Sequence, residues 1–269
     1  MLFKSIKCPN CDTYHDPTLQ KCPSCHKDNE LFRINRLPKR VLFLHPYAQI
    51  GLFLVGFAYV GMRLAELLFS VFLSSIPSDN KLFQTTLTLM LTYSTMFIAL
   101  GAIVLLTRKK ELNSKFTSGT DYIYGVAYAV TLVCVGTIIS ALISLIYRAG
   151  DNVNQTTAID IAKNYPIPAF FLFAFLGPIC EELTYRVGLY SFFRRINKYL
   201  AFAVTAIIFA FIHFNFDAEN MLDELWSIPM YIVSGFVLTL AYEHRGPACS
   251  MTAHVLYNMF AFVLILTQK

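Results

Sequence analysis

Seven apolar stretches of about membrane-spanning length, at 48–74, 84–107, 121–147, 166–192, 198–216, 225–243 and 247–267, constrain this chain more than any other feature. A helix needs about 20 residues to cross the hydrocarbon core. Inside it only helices and closed barrels satisfy their own backbone, and continuous apolar runs have the dimensions of helices rather than strands. Composition agrees: 56% of the 269 residues are hydrophobic and 14% charged, more apolar surface than one soluble core of this size hides. The expected fold is all-α, a polytopic transmembrane bundle of about seven spans preceded by a small zinc ribbon.

The net charge of +5 does not gather on one soluble module, so lipid rather than nucleic acid is the expected partner. The basic residues form short clusters between apolar runs: Arg33, Arg36, Lys39 and Arg40; Arg108, Lys109, Lys110 and Lys115; Arg194, Arg195 and Lys198. The alternate connections at 77–81, 150–165 and 215–224 hold few Lys or Arg. By the positive-inside rule the N-terminus is cytosolic and the C-terminus lies outside. No short apolar segment with a small-residue cleavage site opens the sequence, so the N-terminus is expected to be retained.

The seven cysteines fall into two groups. Cys134, Cys180 and Cys249 stand singly in apolar sequence and read as small packing residues. Cys8-Pro-Asn-Cys11 and Cys22-Pro-Ser-Cys25 instead form two knuckles, the spacing of tetrahedral thiolate coordination. They predict a structural zinc, whose binding would supply most of the folding free energy of so short a module. A cytosolic protein partner is one expectation for it. His26 follows Cys25 directly, but four sulfurs already complete a tetrahedron. His15, His45 and His244 read as ribbon or span-edge residues in contact with solvent.

An ionisable group inside a span costs about 2.5–3.5 kcal/mol and requires a partner or a task. The fourth stretch holds three, in Gly177-Pro178-Ile179-Cys180-Glu181-Glu182-Leu183-Thr184-Tyr185-Arg186, where the proline is expected to break the helix locally. Glu182 and Arg186 are four apart and share a face, which makes Glu182 the ion-pair partner and leaves Glu181 freer to act as a base. His213 follows Phe209 by four in the fifth stretch. His254 and Asn258 are also four apart in the seventh, on one helix face. Arg63 and Glu66 in the first are three apart and read as a structural pair. Carboxylates, imidazoles and an amide converging from three spans supply what amide hydrolysis needs: a base for water and neutral donors for the developing oxyanion.

Glu181-Glu182-x-x-x-Arg186, Phe209-x-x-x-His213 and His254-x-x-x-Asn258 resemble the three ordered motifs of the CPBP family, which includes the CAAX prenyl endopeptidases. The resemblance covers about residues 125–267 and leaves out the ribbon and the first two spans. It implies that Glu181 and His213 activate water, that His254 and Asn258 stabilise the oxyanion, and that Glu182 and Arg186 orient the site. The expected organisation is then a ribbon at 1–32, a basic juxtamembrane linker at 33–47, N-terminal helices at 48–120 and a CPBP-like catalytic core at 121–269.

There is no His-Glu-x-x-His helix, but Glu181, His213 and His254 could form a three-ligand site. Catalytic metal therefore stays open, with a metal-free mechanism favoured. The function expected is an intramembrane endopeptidase acting on a membrane-associated or lipidated peptide or protein. The rivals are a non-catalytic membrane scaffold or immunity protein and a proton-coupled transporter. The last should show paired broken-helix repeats, whereas only the fourth stretch carries such a signal.

Overall fold

The computed structural model describes residues 5–16, 19, 21–29, 46–76, 80–148 and 150–267. The basic linker with Arg33, Arg36, Lys39 and Arg40, and also His45, lies outside the described residues. Two short antiparallel strands, β1 (Ile6–Lys7) and β2 (Tyr14–His15), open the chain. Among the described residues eight helices follow: α1 (Pro46–Ser74), α2 (Lys81–Phe116), α3 (Gly119–Ser144), α4 (Val153–Asn164), α5 (Pro166–Arg194), α6 (Lys198–Phe211), α7 (Met221–Arg245) and α8 (Pro247–Thr267).

Among the described residues, α1, α2, α3, α5, α7 and α8 are long and apolar enough to cross a bilayer, and the protein is an integral multi-pass membrane protein. Large apolar side chains such as Leu68, Ile98, Leu106 and Ile123 are exposed on the outer faces, as lipid contact requires. The fifth expected stretch is shorter than its apolar run: α6 has 14 residues and stops at Phe211. The connection at 150–165, read from sequence as a loop, contains α4, whose Ile161 and Ala162 are buried.

Local chemistry sets the boundaries. Asn80, Asn152, Asn197 and Asn220 each sit before a helix, and their side-chain oxygens accept first-turn N–H groups of α2, α4, α6 and α7. Gly246, at φ 86°, adopts the left-handed backbone that separates α7 from α8, and Pro247 starts the next helix.

α5 is the central span, half of its apolar window being buried against about a tenth to just over a quarter in the others. One side packs on α1 and α2 through Leu54, Ala58, Met96, Leu100, Leu183 and Val187. The other packs on α3, α6, α7 and α8 through Leu132, Tyr185, Leu189, Phe209, Leu238 and Ala253. Lipid tails are as apolar as these side chains, so close approach rather than water exclusion holds spans together. Gly51 and Gly188 supply it where α1 crosses α5: a Cβ on either would lie 2.9 or 3.1 Å from the other's carbonyl oxygen.

The proline does not break α5. Residues Phe170–Leu176 and Glu182–Tyr190 are π-helical, flanking a short α-helical piece, Gly177–Glu181. The wider turns absorb the missing N–H of Pro178, so the helix continues through the site.

In the ribbon each knuckle closes in the same way. Asp12 and His26, the residues after Cys11 and Cys25, both have left-handed φ, 57° and 58°, and donate their N–H to the carbonyls of Cys8 and Cys22. His26 is thus a turn residue. The ribbon packs on one end of the bundle, and the basic clusters read as topology signals are partly consumed there. Buried Arg195 donates to Asp16, Lys115 donates to Ser24, and Lys110 lies over the Tyr14 ring. Arg194 and Lys198 both meet Glu243 of α7. His15, expected at solvent, is 2% exposed, and its Nδ1 lies 2.9 Å from the Asp16 carbonyl. His244 is partly covered, against Tyr124 and Tyr128. Arg63 and Glu66 pair at 3.1 Å.

Candidate active site

α5, α8 and the turn after α6 bring Glu181, Glu182, Arg186, His213 and His254 together. Glu182 and Arg186 are both completely buried and bonded at 2.9 Å, from one turn to the next. Arg186 also donates to the Gly235 carbonyl at 3.2 Å, and its guanidinium lies 4.6 Å from the centre of the Phe209 ring. The apolar residue of the second motif therefore covers the buried cation. The same Glu182 oxygen, Oε1, lies 2.9 Å from His254 Nδ1. A carboxylate only accepts, so Nδ1 carries the proton and Nε2 of a neutral His254 has its lone pair free.

That Nε2 lies 3.7 Å from Glu181 Oε2. On the other side, His213 Nε2 lies 3.9 Å from Glu181 Oε1. The tautomer of His213 is set in the same way, because its Nδ1 is 2.8 Å from the Phe209 carbonyl, another pure acceptor. The fifth stretch, read to 216, would place His213 deeper than the other two. The helix instead ends at Phe211, and the turn that follows lets the imidazole reach Glu181. Glu181 and His213 remain partly exposed, with side chains at 21% and 14%, whereas Glu182 and Arg186 are sealed off.

Asn258 sits one turn beyond His254, but its amide donates to the Phe173 carbonyl at 2.8 Å. The irregularity of α5 explains this bond. Gly177 donates its N–H to Leu172, five residues back, and Pro178 has none, so no helix N–H reaches the Phe173 oxygen. Asn258 satisfies it with one of two amide protons.

Tyrosines surround this group without having been singled out in the sequence. Tyr231 of α7 stacks on His213 with centroids 4.3 Å apart and planes 18° from parallel. Tyr185, one turn after Glu181, meets the Phe209 ring edge-on, and its hydroxyl approaches that of Tyr59 at 3.4 Å. The spacing of Tyr185 from Glu181 was a usable signal; nothing in the sequence marks Tyr231 among 15 tyrosines.

The Sγ atoms of Cys8, Cys11, Cys22 and Cys25 all lie within 4.8 Å of one another, a cluster that can hold a metal ion. Burial pushes the Cys22 thiol up to about 12. At Cys25 the upward push of burial is outweighed by hydrogen bonds from Asn10, from the Lys27 N–H and from neighbouring thiols, which bring it down to about 6. Cys180 and Cys249 are buried and Cys134 faces outward.

Residues 163–260 match the family model of the Type II CAAX prenyl endopeptidases, Rce1-like. The matched segment begins later and ends earlier than the motif resemblance had suggested, and it contains all seven motif residues. The UPF0177 protein YvdC of Lactococcus lactis is 32% identical over 117 residues, 43% of this chain and 42% of that protein. An uncharacterised protein of Mycoplasma capricolum is 26% identical over 154 residues, 53% of this chain and 44% of that one. The UPF0177 protein YaiH of L. lactis is 34% identical over 95 residues, 35% and 36% of the two chains. The aligned part is thus less than half the length of these curated relatives. No solved structure matches. The segment from the end of α4 into α8, which assembles Glu181, His213 and His254, is thus similar to the Rce1-like family model.

Proposed function

We propose that the protein is an intramembrane endopeptidase that hydrolyses a peptide bond of a membrane-associated or lipidated protein or peptide. The observation that carries this reading is the Glu181 carboxylate standing between two imidazole Nε2 atoms, at 3.7 and 3.9 Å, contributed by separate segments. The gaps are too long for direct hydrogen bonds, yet a water about 2.8 Å from the carboxylate and from an imidazole fits either of them. Glu181, assisted by His213, takes a proton from that water as its oxygen attacks the carbonyl carbon. As the carbon–nitrogen bond breaks, Glu181 returns the proton to the leaving nitrogen. His254, its Nδ1 proton held by Glu182, lies beside the developing oxyanion, to which the second amide proton of Asn258 donates. Arg186 fixes Glu182, and through it the orientation of His254.

Four-coordinate zinc with bonds of about 2.0–2.1 Å would hold its ligands about 3.3 Å apart. Glu181 is farther than that from both imidazoles, so the trio fits a water better than a metal. The ribbon suits zinc well. Bonds of about 2.3 Å place tetrahedral sulfurs about 3.8 Å apart, and Cys8–Cys25 and Cys11–Cys22 are each separated by 3.6 Å. Purified protein should contain about one zinc per chain, falling when Cys8 and Cys22 become Ser; unchanged zinc would refute the assignment. The basic clusters support a cytosolic N-terminus by the positive-inside rule, where the ribbon would serve as a docking module for a protein partner, with lipid around the bundle.

Membranes carrying wild type or Glu181→Ala, incubated in ¹⁸O-labelled water, test the hydrolysis. New peptide C-termini bearing ¹⁸O in wild type alone support it. If none form and binding of a membrane protein persists in both, the scaffold reading replaces it. Proton flux in liposomes that depends on Glu181 would favour the transporter.

A further inference from the structure

We infer that α4 and the start of α7 form a latch that positions His213, with Tyr231, Asn152 and Glu224 as positioning residues; the inference rests on the proposed role of His213 in water activation. His213 lies outside regular helix, two residues past the end of α6, so the span itself does not fix its ring. Its Nδ1 bond to the Phe209 carbonyl sets one contact, and the Tyr231 ring covers its face at 4.3 Å.

Tyr231 is itself tethered. Asn152 donates from its side-chain amide to the Tyr231 hydroxyl at 3.2 Å, while its oxygen caps α4 by accepting the Gln155 N–H at 2.8 Å. Asn152 thus ties the start of α4 to the ring on His213. Two turns before Tyr231 on α7 stands Glu224, 1% exposed. One of its oxygens accepts the Val153 N–H at 2.8 Å and the other the Asn215 N–H at 3.0 Å. A single buried carboxylate therefore clamps α4 to the turn that carries His213, two residues from it. Asp223 adds a parallel tie by accepting the Gly150 N–H at 2.8 Å.

A carboxylate sealed from water is costly unless its oxygens are used, and both accept backbone N–H groups from the two segments that must be held together. Without α4, the Asn152 and Val153 bonds vanish, and Tyr231 and the turn lose their restraints together. An imidazole displaced by about 1 Å loses much of its value as a catalytic partner, even where no contact with substrate changes.

Carbethoxylation of the full-length protein in detergent by diethylpyrocarbonate, resolved by peptide mass spectrometry, reads the latch without a substrate. Tyr231→Leu removes the ring from His213 and should raise its modification rate about threefold or more relative to His244 in the same sample. Tyr231→Phe keeps the ring but loses the hydroxyl that Asn152 tethers, and should raise the rate by a smaller factor than Tyr231→Leu. Asn152→Ala removes the tether together with the α4 cap, and should shift His213 in the same direction by a smaller factor. It carries the test if Tyr231→Leu raises all six histidines together, as unfolding would. Unchanged His213 reactivity in Tyr231→Leu and Asn152→Ala would overturn the inference. Cleavage is read separately: loss in Glu181→Ala tests the protease reading. A fall of about tenfold or more in Tyr231→Leu, with a smaller fall in Tyr231→Phe, is expected from the latch, and equal cleavage by both would refute its part in catalysis.

Discussion

Replacing Arg186 by Leu should be among the most destabilising single changes in this protein, and adding Glu182→Leu should recover part of the loss. Arg186 is wholly buried, bonded to Glu182 at 2.9 Å and to the Gly235 carbonyl at 3.2 Å. Removing it leaves the Glu182 carboxylate in a sealed site, opposite His254 Nδ1 but without its guanidinium. Breaking one partner of a buried pair costs about 3–5 kcal/mol, mostly because the other charge is stranded. For a chain of this size, about 2–4 °C of melting temperature follows each kcal/mol, so a drop of about 6–20 °C is expected. Glu182→Leu with Arg186→Leu strands no charge, although the Gly235 carbonyl and His254 Nδ1 lose partners at about 1–3 kcal/mol each. The double variant should therefore melt several degrees above Arg186→Leu. Thermal unfolding of detergent-purified protein, followed by buried-thiol labelling, measures both. If the two changes add, the Glu182 charge is not what makes the single substitution costly, and the ion-pair argument fails.

Gly125 faces α8 so closely that a Cβ would lie 2.6 Å from Thr252 Cβ; Gly125→Ala should lower stability by about 1–3 kcal/mol, measured in the same melt, and an unchanged melting temperature would contradict the packing. Asp16→Ala leaves buried Arg195 without its partner carboxylate, so proteolysis between ribbon and bundle should become faster at unchanged metal content; unchanged proteolysis would refute the docking role of the pair. Burial pushes the His15 imidazole below its ordinary value of 6.5, so the folded state resists protonation more than the unfolded chain does. The stability this gives is full above that value and is lost as pH falls through it. Hydrogen exchange around residues 5–16 should accelerate on acidification from about pH 7.5 to 5.5, less so in His15→Phe; equal acceleration in both would assign the effect elsewhere.

Much of this architecture is readable before any coordinates, for physical reasons. The spans around α1, α2, α3, α5, α7 and α8 announce themselves because bilayer thickness fixes their length. Glu182 and Arg186 do so because charge inside a span needs a partner one turn away. The two cysteine knuckles declare a cluster because metal geometry fixes their spacing. What escapes the sequence depends on tertiary contact. The early end of α6 is hidden because Ile212 and Phe214 continue the apolar run past the turn. α4 is hidden because its sequence is largely polar, while its buried Ile161 and Ala162 and its ties to Glu224 come from other segments. Pro178 signals a break, but the π turns that absorb it, and the carbonyl that Asn258 then satisfies, emerge only from the folded helix.

Terminal-peptide proteomics of matched cells carrying wild type, Glu181→Ala or His213→Ala at equal folded abundance tests the central claim most directly. Hydrolysis by water held between Glu181 and His213 predicts a specific set of membrane-protein termini that is present in wild type and absent from both variants. The same termini persisting in Glu181→Ala would contradict it.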